Sequence, residues 1–214
     1  MGTVAALVSG KGGTGKTTLC AGIGAGLARL EQRVLCIDAD VGLRNLDLAL
    51  GMSDQATIPF TEVLSDPDLL ERVPAHPDIP GLSMLTAPVG TMPEDIDPEE
   101  FSALVTQAAR VFDWVLIDAP AGIGPGFRLA ASPSSIALVV ANCEPASMRD
   151  AAQTAQLLRD REDLSLKLVV NRVRRRALKQ LGLTIDDAID QVGLTLIGLV
   201  PEQRRLPADL AAGR

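Results

Sequence analysis

The sequence predicts an α/β fold built on a doubly wound, mostly parallel sheet, and three observations carry that prediction. Aliphatic runs recur without polar alternation at Val4–Val8, Val34–Ile37, Trp114–Ile117 and Ile136–Ala141, as strands buried on both faces require. Segments of helical character fall between them, and such alternation builds parallel sheets. The glycine-rich stretch Ser9–Thr18, SGKGGTGKTT, joins the first run to a helical segment over Leu19–Leu30. That is the strand–loop–helix arrangement by which such sheets hold ligands at strand C-termini.

In order along the chain, Val34–Ile37 is a buried strand ending in Asp38, Leu43–Gly51 a loop or short helix, and Pro59–Leu64 a helical turn. Ser65–Gly81, rich in Pro and Asp, predicts no regular element, whereas Leu82–Thr86 reads as a strand. Asp97, Pro98 and Glu100 supply an N-cap, an N1 proline and a capping-box acid. Phe101, Leu104, Val105, Ala108, Val111 and Phe112 follow at helical spacing. A helix over about Ala146–Arg159, a strand over Leu166–Val170, a helix opened by Thr184 and Asp187, and a strand over Leu194–Val200 complete the set. No repeat or linker interrupts this order, so residues 1–214 are expected to form one domain.

Composition narrows the function. The chain has no Tyr, a single Trp and four Phe among 214 residues, so its core must be aliphatic. A net charge of −7 argues against broad nucleic-acid binding, so nucleic acid is an unlikely partner. Cys20, Cys36 and Cys143 are widely spaced and odd in number, which suits free thiols in a reducing compartment. His76 is the lone histidine, which disfavours histidine-based catalysis or a zinc site. The first strand begins almost at the N-terminus and no apolar run is long enough to span a bilayer, so a cytoplasmic location is expected.

The chemistry concentrates in the glycine-rich stretch. Gly10, Gly15, Lys16 and Thr17 satisfy G-x-x-x-x-G-K-[ST], the phosphate loop of nucleotide triphosphatases. Across Gly10, Lys11, Gly12, Gly13, Thr14, Gly15, Lys16, Thr17 and Thr18, backbone N–H groups can turn inward around an anion at the start of a helix. Lys16 offers a point charge to the outer phosphates and Thr17 a hydroxyl to Mg²⁺. ATP or ADP with Mg²⁺ is therefore the expected cofactor. Lys11 is a second lysine in the loop. Its bland reading is a solvated surface cation.

Two acidic segments fall at predicted strand ends, Asp38-Ala39-Asp40 and Asp118-Ala119-Pro120-Ala121-Gly122. An aliphatic strand ending in Asp is the Walker B arrangement, so Asp118 joins Thr17 as a metal candidate, with Asp38 beside them. Ala119 stands where a water-orienting Glu or Gln could follow, so Asp40 is the better candidate to orient an attacking water. The alternative makes Asp38 and Asp40 ordinary turn acids.

These motifs together resemble the ParA/MinD family of deviant Walker A ATPases, whose loop reads K-G-G-x-G-K-[ST]. The segment Asp40–Asp47, DVGLRNLD, is similar to the MinD branch, which regulates placement of the bacterial division septum. Partition ParA proteins carry a D-P-Q-G type segment there, and flagellar-number regulators G-L-A-N-I-D; these are the alternative readings. Asp118–Ile123 (DAPAGI) and Ser147–Asp150 (SMRD) also resemble MinD-branch segments. The resemblance implies slow, Mg²⁺-dependent ATP hydrolysis, stimulated by dimerisation and a partner, within an ATP-state homodimer. Lys11 would reach the partner subunit's nucleotide, with Lys16 and Asp40 completing the catalytic set. It further implies that Asn171 and Arg172 recognise and stack on adenine and that the base-contacting loop begins at Pro201 and Glu202. Division-inhibitor and activator proteins are the implied partners. The branch also attaches to the membrane surface through a basic amphipathic segment, which would make the protein peripheral at the inner membrane face. Here the stretch after Pro201, EQRRLPADLAAGR, lacks that character. Arg172, Arg174, Arg175, Arg176 and Lys179 form a basic cluster, read as a solvated helix start and alternatively as a DNA contact.

Overall fold

The computed structural model describes residues 1–174 and 185–203. Its elements are β1 (Thr3–Val8), α1 (Lys16–Arg29), β2 (Val34–Asp38), α2 (Leu46–Ala49), β3 (Ile58–Pro59), α3 (Phe60–Ser65), β4 (Leu82–Thr86), α4 (Pro98–Val111), β5 (Trp114–Asp118), α5 (Pro125–Ala131), β6 (Ile136–Asn142), α6 (Pro145–Leu158), β7 (Ser165–Val173), α7 (Ile185–Val192) and β8 (Thr195–Pro201). Among the described residues the strands form one sheet in the order β3-β4-β2-β5-β1-β6-β7-β8. Every pairing in it is parallel. The chain leaves β1 toward β2 on one side and later reaches β6 on the other. The loop after β1 thus opens at the point where the winding reverses, where doubly wound sheets bind ligands.

Strands β1, β2, β4, β5 and β6 are buried on both faces, which explains their unbroken aliphatic character. One face carries α1 and α2: Cys20, Ala21, Ala28 and Leu46 pack on Leu7, Cys36, Met84 and Leu116. The other carries the remaining helices, with Phe101, Leu104, Phe127, Met148 and Val192 against Ala6, Ile37, Ile117 and Val139. Small residues bring α1 close to the sheet; a Cβ on Gly24 would sit 2.7 Å from Cys36 Sγ. In a chain poor in rings, Phe60 and Phe101 meet edge to face at 5.2 Å and join α3 to α4.

Several element ends differ from expectation. α1 begins at Lys16, three residues before Leu19, because Gly15 takes φ 92° and lets the loop pass straight into the helix. β7 runs on through Asn171, which pairs with Asn142 of β6. α5 and the two-residue β3 were not expected, and a 3-10 turn over Pro67–Arg72 fills part of the irregular stretch. α4 opens as read: Asp97 Oδ1 accepts the N–H groups of Glu99 and Glu100. The three cysteines are free, with Cys20 and Cys36 buried. Among the described residues no helix is long and apolar enough to cross a membrane. Thr184, Arg175, Arg176, Lys179 and the stretch from Arg204 onward lie outside the described residues.

Candidate functional site

The loop after β1 is held from three sides. Gly122 N–H donates to the Ser9 carbonyl at 3.0 Å, tying the turn after β5 to the loop's first residue. Asn171 Nδ2 donates to the Thr14 carbonyl at 2.8 Å. Gly10 rests on α6, where an added Cβ would meet the Asp150 carbonyl at 2.8 Å. Gly13 and Gly15 have φ of 78° and 92°, conformations open to glycine. α1 starts with neither a side-chain cap nor an acid in its first turn. Its first N–H groups are therefore open to an anion.

The two loop lysines have opposite fates. Lys16 is buried, and its Nζ donates to Ser9 Oγ at 2.9 Å. Burial lowers its pKa, against the pull of Asp118 and Asp40, which raise it. Ser9 in turn donates to the Lys11 carbonyl at 2.7 Å. Its role was not anticipated, although it stands next to Gly10 in the motif. Lys11 points out of this pocket, its side chain 46% exposed, and pairs with Glu144 Oε2 at 3.5 Å.

The strand-end acids gather beneath the loop. Asp38 and Asp118 are register partners on β2 and β5. Asp118 is buried, and desolvation pushes its pKa up to about 7, opposed by a hydrogen bond from Thr17. Its Oδ1 has no hydrogen-bond partner. Asp38 is likewise buried, raised to about 6 by desolvation, yet its oxygens are occupied. Oδ1 accepts Asp40 N–H at 2.9 Å, and Oδ2 accepts those of Asn45 and Leu46 at 3.1 and 3.0 Å. Asp38 thus caps α2 from the sheet and shapes the Asp40 loop. Asn45, the N-cap by position, makes no side-chain cap bond. Arg44 donates to Asp47 at 3.0 Å and to Thr57 at 2.9 Å, bracing the same loop. Asp40 is half-buried; burial raises its pKa, and the charge of Lys16 opposes that rise.

A divalent cation implied by this fold fits the donors present. Thr17 offers a hydroxyl and Asp118 an orphaned buried carboxylate oxygen, and such an atom calls for a partner. Among the described residues no cluster of three His, Cys, Asp or Glu forms a cage. Mg²⁺ needs none, since it draws most of its ligands from water and phosphate.

Beyond Gly15 lies a cleft of about 450 Å³ lined by Thr18, Leu19, Asn171, Arg172, Pro201 and Glu202, with Gly15, Arg174, Val200 and Gln203 completing its wall. Asn171 is buried and its Oδ1 accepts Arg172 N–H at 2.9 Å. With one bond at each end of its amide spent, one N–H and one lone pair remain on the side chain. Glu202 forms an ion pair with Arg174 across the strand ends.

The profile of the CobQ/CobB/MinD/ParA nucleotide binding domain matches residues 5–214. The chain belongs to the MinD/ParA nucleotide-binding family. It is 37% identical to the septum site-determining protein MinD of Synechocystis over 209 residues, 96% of this chain and 78% of that protein. It is 35% identical to Thermotoga maritima MinD over 94% of this chain and 76% of that one. In structure it matches MinD of the Aquifex aeolicus MinC:MinD complex at TM-score 0.89 and 36% identity, covering 99% of this chain and 86% of that one. The Pyrococcus horikoshii MinD complexed with Mg-ADP matches at TM-score 0.85 and 27% identity, covering 100% and 86%. The protein is a MinD-like P-loop ATPase.

Proposed function

We propose that this chain is an ATP-driven dimerisation switch that acts in placing the division septum. The observation that carries the proposal is the divergence of the two loop lysines. Lys16 is buried beneath the loop with Asp40 and Asp118 near enough to feel its charge, whereas Lys11 extends from it, exposed. A lysine turned away from its own phosphate site is suited to another subunit's nucleotide.

In this reading Lys16 and the backbone of Gly10–Thr18 bind the triphosphate. Asn171 meets the adenine edge, the Arg172 guanidinium covers its face, and Pro201 and Glu202 form the cleft wall. Thr17 and Asp118 would hold Mg²⁺, which neutralises charge on the phosphate oxygens. Asp38 holds the loop that aims Asp40, and Asp40 orients the attacking water. Lys11 of the partner subunit adds positive charge to the closed site, so closure and turnover depend on each other. The names of the relatives support septum-site determination as the setting, and the MinC:MinD complex supports a division-inhibitor protein as a partner. A ParA-like partition ATPase is less favoured, because Arg172 and Arg174 of the basic cluster line the base cleft.

Lys11→Ala tests the proposal. The variant is expected to bind ATP as before but to lose both nucleotide-dependent self-association, measured by sedimentation velocity, and phosphate release. Full ATPase activity in it would sink the mechanism.

A further inference from the structure

Glu144 occupies the N-cap of α6, a position where a short polar side chain normally bonds the first helical N–H groups. It makes no such bond. Its carboxylate reaches Lys11 instead, across 133 residues of sequence, at 3.5 Å. The turn that presents it is firmly built. Asn142 N–H donates to Ser147 Oγ at 3.0 Å, and Glu144 N–H donates to Asn142 Oδ1 at 3.2 Å. The loop bearing Lys11 is seated on the same helix through Gly10, against Asp150 and Thr154. Both ends of the ion pair therefore stand on α6. Arg174 also feels the charge of Glu144, while its guanidinium is held by Glu202 at the cleft rim. Charges of alternating sign thus run from the phosphate loop to the base cleft: Lys11, Glu144, Arg174, Glu202.

We infer that Glu144 is the resting partner of Lys11 within one subunit, a positioning residue that must release the lysine before it can serve another subunit. The inference rests on the trans role proposed for Lys11. Released, Glu144 keeps the positive charge of Arg174 in its neighbourhood, so its charge is not stranded when the lysine leaves. Both members of the pair are largely exposed, with side chains 46% and 64% accessible. Such pairs are weak and screened by salt. The restraint is accordingly a bias on the switch that ATP can overcome.

The test compares wild type with Glu144→Gln, using Mg²⁺ and a non-hydrolysable ATP analogue. Self-association, followed by sedimentation velocity across protein concentrations, is expected to tighten roughly two- to five-fold at low salt. The gain should collapse at high salt, and affinity for the analogue in dilute monomer should stay unchanged. Independently, acylation of Lys11 by an activated ester, read by mass spectrometry without nucleotide, should be faster in Glu144→Gln, with Lys167 as the unaffected control. Self-association that is unchanged or weaker, or Lys11 labelling that does not rise, overturns the assignment. If wild type fails to self-associate with the analogue, the dimer reading fails, and the labelling experiment still decides whether Glu144 holds Lys11.

Discussion

Asn171, near the C-terminal end of β7, donates its side-chain amide to the carbonyl oxygen of Thr14, at the centre of the phosphate loop, across 2.8 Å. The residue suited to reading a base is therefore also a strut of the anion cradle. Asn171→Ala should weaken binding of tripolyphosphate, which has no base, as well as of ATP. The loss should be about ten-fold or more for ATP, since the buried Thr14 carbonyl would be left without its donor. Isothermal titration with both ligands checks this. A loss confined to ATP would reduce Asn171 to base recognition alone.

Gly15→Ala is expected to be more damaging. Its Cβ would lie 2.4 Å from Asn171 Nδ2, and φ is 92° there. Both clash and backbone strain act against the native loop. Nucleotide binding should vanish, while circular dichroism reports an intact fold. Retained affinity would mean that the loop can relax around the methyl group.

Asp118 sets stability against function. Its folded pKa of about 7 lies above the ordinary value of 3.8. The folded state therefore holds the proton more tightly, and stability is lost as pH rises from about 4 to about 7. At pH 8, Asp118→Asn should stabilise the ligand-free protein by roughly 2–4 kcal/mol, a gain that shrinks to nothing near pH 4. The same variant should lose Mg²⁺-dependent nucleotide binding. Thermal melts at the two pH values decide the first claim, and a lower melting temperature at pH 8 would refute it.

Asp40→Asn preserves the size of a half-buried side chain and removes the charge that Lys16 feels. We expect binding and self-association to persist while phosphate release falls by about two to four orders of magnitude, the scale of general-base loss. Single-turnover hydrolysis separates this step from product release.

His76 is a structural brace. Its Nδ1 accepts the N–H groups of Asp78 and Ile79 at 3.0 and 3.1 Å, which leaves Nε2 to donate to the Leu50 carbonyl at 2.8 Å. His76→Ala should cost about 1–3 kcal/mol in a urea titration, with hydrolysis per folded molecule unchanged.

Where the sequence was readable, a single physical cause dominated. Strands buried on both faces gave unbroken aliphatic runs, and the phosphate loop needs glycines and a lysine at fixed spacing. Less regular features escaped. The strand Ile58–Pro59 is too short for any period. α5 follows a glycine-rich turn and spans barely two helical turns, its Pro125 being the one available signal. The acid segment Asp38–Asp40 announced itself, but its division of labour did not. Only register with Asp118 and the N–H groups of Asn45 and Leu46 distinguish the loop-holding carboxylate from the other two. The contacts of Lys11 with Glu144 and of Thr14 with Asn171 join residues 133 and 157 positions apart, and no local pattern encodes them.

The close seating of α1 on the sheet has a mechanical meaning. With Gly24 pressed against Cys36, Leu82 and Leu116, the helix is keyed to the strands, and sliding along its axis would drive backbone into packed side chains. Such packing opposes a piston stroke of α1. In the switch proposed above, the γ-phosphate would instead be read sideways, at the turns after β2 and β5 and at α6. In that switch, a first helix keyed to its strands would leave the rim of the sheet as the part that listens.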